Sequence, residues 1–424
     1  MNQHNMQFGY KHFEEHNVQP SKNASIPLIY CAVAVKTRCI LKNIAVDLDD
    51  VKVTVDSFKK AGVYISRHDR TLYIDSSDLD SSEIPEELWN KTRCSLLCFG
   101  LAQSFQVPLA GKEPGGCQLN RKHDIHLELF QQFGARIKAC NGNLLFEPSG
   151  TNRNTEFHYY LRLPSVGATL NGILGALRSG GIVTLQNAAI EPEIIACIEF
   201  LNSAGANIHY AANKVISIHP VESFSEGHID CPTDRIVALT LIVASILAKK
   251  SLCLRNAPIS NMKSELSFLQ TFKYFSLDYR GESLFVTASK DFKKHEKIEI
   301  VADSYPAISS DSLPLLTVLS LFYFKNVITK DLLYQERFDY LKQLVKFGVS
   351  IRKEAQGICA SYNHKPTDNS QDDMEISDIR GGMASYLFLL ANGLEINIRG
   401  LACLDRGYEE STITRIKKMF LESS

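Results

Sequence analysis

The sequence has no apolar run long enough to cross a membrane, no surplus of either charge, and no cysteine or histidine spacing that would hold a metal. The longest apolar-looking run, Ile236 to Ala248, has 13 residues and includes Thr240 and Ser245, short of the roughly 20 that a membrane helix needs; it predicts a buried helix. Lys plus Arg number 46 against 47 Asp plus Glu, a net charge of -1, so there is no global attraction for nucleic acid or an anionic membrane, and any anion site must be local. The basic cluster KDFKKHEK at 290–297 is short, lies among acidic residues and has only Phe292 as an aromatic. It reads as a solvated face rather than a nucleic-acid platform. Neither a GxxxxGK[ST] phosphate loop nor an HExxH motif occurs. The N-terminal stretch MNQHNMQFGYKHFEEH is polar and does not read as a secretory leader. The eleven cysteines are scattered singly, which fits reduced thiols in cytosol better than a disulfide scaffold.

What the chain does have is length, a core and a period. Its 424 residues, 45% hydrophobic, suffice for two domains. Six segments share one order: a helix-like apolar stretch, a short strand, a polar link, an amphipathic helix ending near Gly, and a further strand. Helix starts fall near Ile26, Cys94, Gly167, Ile236, Leu313 and Gly382, separated by 68, 73, 69, 77 and 69 residues. In the first segment a second helix, about Asp50 to Lys60, puts Val51, Val55 and Phe58 on one side and stops at Gly62. The endings KKAGVYI, QQFGARI, NSAGANI and VKFGVSI repeat, with TFKYFSL a degenerate counterpart. The period is long for a thin solenoid, and three units per domain is the natural division. The turn-rich HIDCPTD at 228–234 is a candidate crossing between domains, and HKPTDNSQDD at 364–373 a candidate exposed loop.

Motifs spanning almost the whole chain carry a resemblance: SKNASIPL at 21–28, TRCS at 92–95, PGGC at 114–117, SVGAT at 165–169, NAAIEPEI at 187–194, DRI at 234–236, SSD at 309–311, DIR at 378–380 and LDRGYE at 404–409. With these the sequence resembles the bacterial UDP-N-acetylglucosamine enolpyruvyl transferases and, more remotely, the shikimate-pathway enolpyruvyl transferases. The resemblance implies a two-domain inside-out α/β barrel of six similar sheet-and-helix units, helices inside and sheets outside. Residues 22–232 would form one domain and residues 1–21 with 233–424 the other, the active cleft lying between them.

The chemistry so implied is transfer of the enolpyruvyl group of phosphoenolpyruvate to the 3-hydroxyl of the UDP-sugar, with release of phosphate and no metal or organic cofactor. It requires proton transfer at the methylene carbon and a positive, dry cradle. Cys117, behind two glycines that suit a mobile loop, matches the family's proton-transfer cysteine; on residue type and glycine context alone it could equally be a spare surface thiol. Lys22, Arg93, Arg121, Arg380 and Arg406 match residues at the phosphoenolpyruvate cradle, where guanidinium forks suit carboxylate and phosphate oxygens. Asp311 matches the carboxylate beside the acceptor hydroxyl; locally it could instead cap the apolar helix that follows. Asn23, His126, Ser165, Val166 and Gly167 match the acceptor side, with an ordinary helix entrance as the local alternative for SVG and a satisfied structural histidine for His126; Arg162 is an acceptor-side candidate as a substitute, by a different route, for the usual lysine at 163.

That side also departs from the family pattern. RKHDIH replaces a usual Arg-Pro-Val-Asp-Leu-His run, Leu163 a usual lysine, Ile190 an arginine and Val237 a glutamate, while Gly381 and Gly382 stand where alanine or serine is usual. Transfer to another nucleotide or nucleotide-sugar hydroxyl, or a non-catalytic binding protein of the same fold, are the alternatives. The resemblance implies a cytoplasmic protein without nucleic-acid or membrane partners; oligomeric state is not legible.

Overall fold

Six helices that are apolar nearly all round form the centre of the molecule. The computed structural model describes residues 13–79, 92–112, 124–140, 143–149, 156–288, 293–334, 337–363 and 373–421. The central helices are Lys22–Val35, Cys98–Phe105, Val166–Ala176, Arg235–Leu247, Leu313–Tyr323 and Ile379–Ala391. In the first, every residue from Ala24 to Val35 is buried, and in Leu313–Tyr323 every residue is. A helix without a polar face has nothing to offer water, so it is covered on all sides. Each Leu or Ile so enclosed contributes about 1.5–3 kcal/mol relative to exposure. Short polar side chains start these helices: Ser21, Ser165, Asp234 and Asp378 each accept hydrogen bonds from first-turn amides.

The sheets lie outside the helices, and four have four strands built alike. In one, Phe157–Tyr160 runs parallel to Val183–Gln186, the Val166–Ala176 helix making the crossover. Val183–Gln186 then pairs with Val215–His219, whose hairpin partner is Asn207–Ala211. The same order recurs with Gly227–Asp230, Arg38–Lys42, Thr71–Asp75 and Tyr64–His68, with Glu14–Asn17 and Leu252–Arg255 followed by the 275–288 hairpin, and with His295–Ala302 and Phe324–Asp331 followed by the 349–362 hairpin. A three-stranded and a two-stranded sheet complete six among the described residues. Amphipathic helices such as Asp49–Lys60 connect the central strands to the hairpins; Val51 and Phe58 are buried there, and Gly62 takes φ 92° past its end. This is the two-domain inside-out α/β architecture that the resemblance implies.

Buried apolar residues separate into two cores. One holds residues between Ala24 and Cys231, the other Val18 and residues from Ile236 to Met419. The chain passes between them twice, side by side: Pro20 bridges Thr233, and Ser21 N–H donates to the Pro232 carbonyl at 2.9 Å. The HIDCPTD stretch is thus strand up to Asp230 and crossing only after it.

In the basic run at 290–297, the described Lys293, His295, Glu296 and Lys297 are exposed, in keeping with the expected solvated face. His295 begins a strand, and half-buried Lys294 donates to the Leu321 and Tyr362 carbonyls. Burial pulls its ammonium down to about 8. The loop expected at 364–373 lies outside the described residues, Asp373 excepted. Cys31, Cys39, Cys94, Cys98, Cys197, Cys231, Cys253, Cys359 and Cys403 are free.

Candidate active site

Helix starts from both cores converge on one cavity of about 490 Å³. Lys22 and Asn23 stand in the first turn of the Lys22–Val35 helix, Arg93 in the short helix Arg93–Leu97, and Ser165, Val166 and Gly167 at the entrance of Val166–Ala176; all line it. His126, Arg162 and Asp311 complete the set of predicted residues on its wall. Arg380 and Arg406 reach the same region through ion pairs with Asp311 and Asp50. Cys117 and Arg121 lie outside the described residues.

The cationic end is organised by Asp50, a residue that sequence reasoning did not single out. Its carboxylate accepts from Lys22 Nζ at 2.6 Å and from Arg406 Nε and Nη2 at 2.9 and 3.3 Å. Lys22 and Asp50 belong to the first core's side of the crossings and Arg406 to the second, so the trio links the two cores. Burial pushes the Asp50 carboxyl up; Lys22 and Arg406 outweigh it and leave it below its ordinary range. Its sequence mark was faint, an aspartate in the first turn of an ordinary amphipathic helix.

Asp311 sits between two guanidiniums. Arg337 Nη1 donates to Oδ1 at 2.6 Å, Arg380 Nε lies 3.6 Å from Oδ2, and Asn23 Nδ2 donates to Oδ2 at 3.4 Å. No side-chain cap hydrogen bond is made at the start of the Leu313–Tyr323 helix; Ser309 Oγ accepts instead from Ser312 N–H at 3.1 Å. The carboxylate is therefore committed to the cavity side rather than to a helix cap. Arg337 and Arg380 are buried, which pulls them down, but Asp311 and Asp378 at Arg337, and Tyr408 ahead of Asp234 and Asp311 at Arg380, outweigh this and hold both above the ordinary arginine value.

Elsewhere on the wall His126 is buried and its Nδ1 accepts from Asn171 Nδ2 at 2.7 Å; that amide also donates to the Leu96 carbonyl. The contact assigns the neutral tautomer with its proton on Nε2, beside Gly167. A Cβ on Gly167 would lie 2.9 Å from His126 Cε1, so only glycine fits against the ring as placed. Arg162 is bound to Asp124 at 2.6 Å and Glu128 at 3.0 Å. The departure at Gly382 has a packing reason: a Cβ there would lie 2.3 Å from Ile376 Cγ2.

Glu191, Glu193 and Arg235 also line the cavity, Arg235 lying 3.7 Å from Glu193 and 3.6 Å from Glu265. Burial and the Glu193 charge push the Glu191 carboxyl up to about 7.

The family described as EPSP synthase (3-phosphoshikimate 1-carboxyvinyltransferase) matches residues 15–412. The chain belongs to this family. Among family relatives, the UDP-N-acetylglucosamine 1-carboxyvinyltransferase 2 of Caldanaerobacter subterraneus is 29% identical over 95% of this chain and 94% of its own length. The UDP-N-acetylglucosamine 1-carboxyvinyltransferase of Deinococcus deserti is 28% identical over 92% and 90%. The crystal structure of the enolpyruvyl transferase NikO from Streptomyces tendae superposes with TM-score 0.82 at 19% identity, covering 95% of this chain and 94% of that one. EPSP synthase from Acinetobacter baumannii does so with TM-score 0.67 at 13% identity, over 97% and 95%. These likenesses show the enolpyruvyl transferase fold.

Proposed function

We propose that the protein transfers the enolpyruvyl group of phosphoenolpyruvate to the 3-hydroxyl of UDP-N-acetylglucosamine, releasing phosphate, in the cytoplasm and as the first committed step of peptidoglycan precursor synthesis. The observation that carries this reading is the meeting of Lys22, Asn23, Arg93 and Asp311 on one cavity wall, with Arg380 and Arg406 behind. Residues 22–232 act as one lobe and residues 1–21 with 233–424 as the other, the cavity between them.

In this reading Lys22, Arg93, Arg121, Arg380 and Arg406 hold the carboxylate and phosphate of phosphoenolpyruvate. The acceptor oxygen bonds to the carbon bearing the phosphate ester while a proton is added to the methylene carbon. Asp311 orients the hydroxyl and receives its proton. The adduct then loses a proton from the new methyl group and expels phosphate, which restores the carbon–carbon double bond. Cys117 supplies the proton to the methylene carbon or assists product release. Val166 and Gly167 turn first-turn amides toward a nucleotide phosphate, with Ser165 at the cap before them and His126 and Arg162 flanking.

A second acceptor is favoured by one observation: Arg162 is held by two carboxylates, Asp124 and Glu128, and Leu163 is apolar. Another nucleotide or nucleotide sugar is the acceptor in that case, with the same transfer chemistry. Phosphate release from phosphoenolpyruvate across a panel of UDP-N-acetylglucosamine, nucleotides and nucleosides tests both. Release only with an acceptor supports transfer, and the acceptor that works fixes the class. Binding without release under every condition would make the chain a non-catalytic relative.

A further inference from the structure

Asp311 needs a fixed direction if it is to orient one hydroxyl, yet a carboxylate in the turn before a helix is free to rotate unless something holds both its oxygens. Two guanidiniums from separate elements do so. Arg337, in the segment before the Asp339–Leu344 helix, donates Nη1 to Asp311 Oδ1 at 2.6 Å and Nη2 to Asp378 Oδ1 at 3.3 Å. Asp378 Oδ2 in turn accepts from Gly381 N–H at 2.7 Å, capping the helix that carries Arg380. Arg380 Nε returns to the other oxygen of Asp311 at 3.6 Å. The loop of contacts is closed, and Arg337 is only 6% exposed. A planar fork spans two carboxylates in a way that a single ammonium cannot.

We propose that Arg337 is a positioning residue for the transfer, fixing the Asp311 carboxylate toward the acceptor hydroxyl by tying it to the helix that carries Arg380. This rests on the transfer reading above. Arg337 faces the cavity only through Asp311; its other charged neighbours are Asp378 and Asp331, and Arg235 adds a further positive charge near Asp311. Misplacing a reacting group by about 1 Å costs on the order of 100-fold in rate, so the effect falls on kcat and not on phosphoenolpyruvate binding.

The test uses the full-length protein with Arg337→Lys and Arg337→Ala. Both are expected to lose about 100-fold in kcat of acceptor-dependent phosphate release, with the KM for phosphoenolpyruvate little changed, and methylguanidinium is expected to restore turnover to Arg337→Ala while leaving the wild type unaffected. If the alanine variant does not fold, Arg337→Lys decides the kinetic question. A crystal structure of Arg337→Lys should show the Asp311 carboxylate turned from its wild-type place. Wild-type kcat in the variants, or an unmoved carboxylate, overturns the proposal. A wild-type protein without turnover on any acceptor defeats the transfer reading instead, and the crystal structure still decides whether Arg337 fixes Asp311.

Discussion

Replacing Asp50 by asparagine keeps the shape of the side chain and removes the one negative charge that Lys22 and Arg406 share. Lys22 Nζ is 2.6 Å from this carboxylate and Arg406 Nε is 2.9 Å from it. Asp50 is 6% exposed, and the Arg406 side chain 26%. Removing one partner of a buried ion pair costs about 3–5 kcal/mol; with Arg406 a quarter exposed, the lower figure applies, about 3 kcal/mol. The account treats Asp50 as the resident counter-ion of a site whose other anion is the phosphorylated acid. Ligand at about 100 times its Kd stabilises a protein by about 2.7 kcal/mol, and in Asp50→Asn it also offsets the positive charge that Asp50 had balanced, so its effect there must exceed that on the wild type. Denaturant unfolding at pH 7, with and without phosphoenolpyruvate, measures both quantities. The sign with pH follows from the depressed carboxyl. Its stabilisation is present above the unfolded value, about 3.9, and is lost as pH falls through the lower folded value, so the gap between wild type and variant closes only below about pH 4. A loss under about 1 kcal/mol, the range of a surface pair, or an equal ligand effect on both proteins, would refute the reasoning.

Glu191 gives the opposite sign. Its carboxyl is raised from 4.5 to about 7 by burial and by Glu193, so the folded state keeps a proton that the unfolded chain has lost, and the wild type loses ~3 kcal/mol as pH rises from 4.5 through 7. Glu191→Gln should remove that slope in unfolding free energy against pH, and an unchanged slope would contradict it. Gly167→Ala drives a methyl against the His126 ring and should raise the KM for the nucleotide acceptor about tenfold, near 1.4 kcal/mol, with that for phosphoenolpyruvate unchanged; equal changes in both would argue against separate subsites. Cys117→Ala should lower turnover by at least about 100-fold, whereas Cys117→Asp retains part of it, since a carboxylic acid can also shuttle a proton. Full activity of Cys117→Ala would remove the thiol from the mechanism.

The six central helices were legible because each is a strongly apolar stretch, four of them starting at a short polar cap, a local property of the chain. So was the period, since every unit repeats the same order of elements. The wall of the cavity was legible mainly where a motif sits at or just before a helix start, as Lys22, Ser165 and Asp311 do. What escaped were partners defined by distance in space. Asp50 and Arg406 are 356 residues apart, and Arg337 finds Asp311 and Asp378 only after the second core has folded. A buried arginine between two aspartates looks, along the sequence, like any charged residue in a loop. Within the solvated face expected at 290–297, Lys294 turns inward beside the Leu321 and Tyr362 carbonyls, which no local pattern announces.

The central claim is that the cations about Lys22 hold phosphoenolpyruvate while Asp311 presents an acceptor hydroxyl to it. Mass spectrometry of the acceptor after incubation with protein and phosphoenolpyruvate tests this most directly. The account predicts a nucleotide or nucleotide sugar carrying one carboxyvinyl ether, formed with one equivalent of phosphate and lost in Asp311→Ala. An unmodified acceptor across the whole panel, with a protein that binds phosphoenolpyruvate, would contradict it.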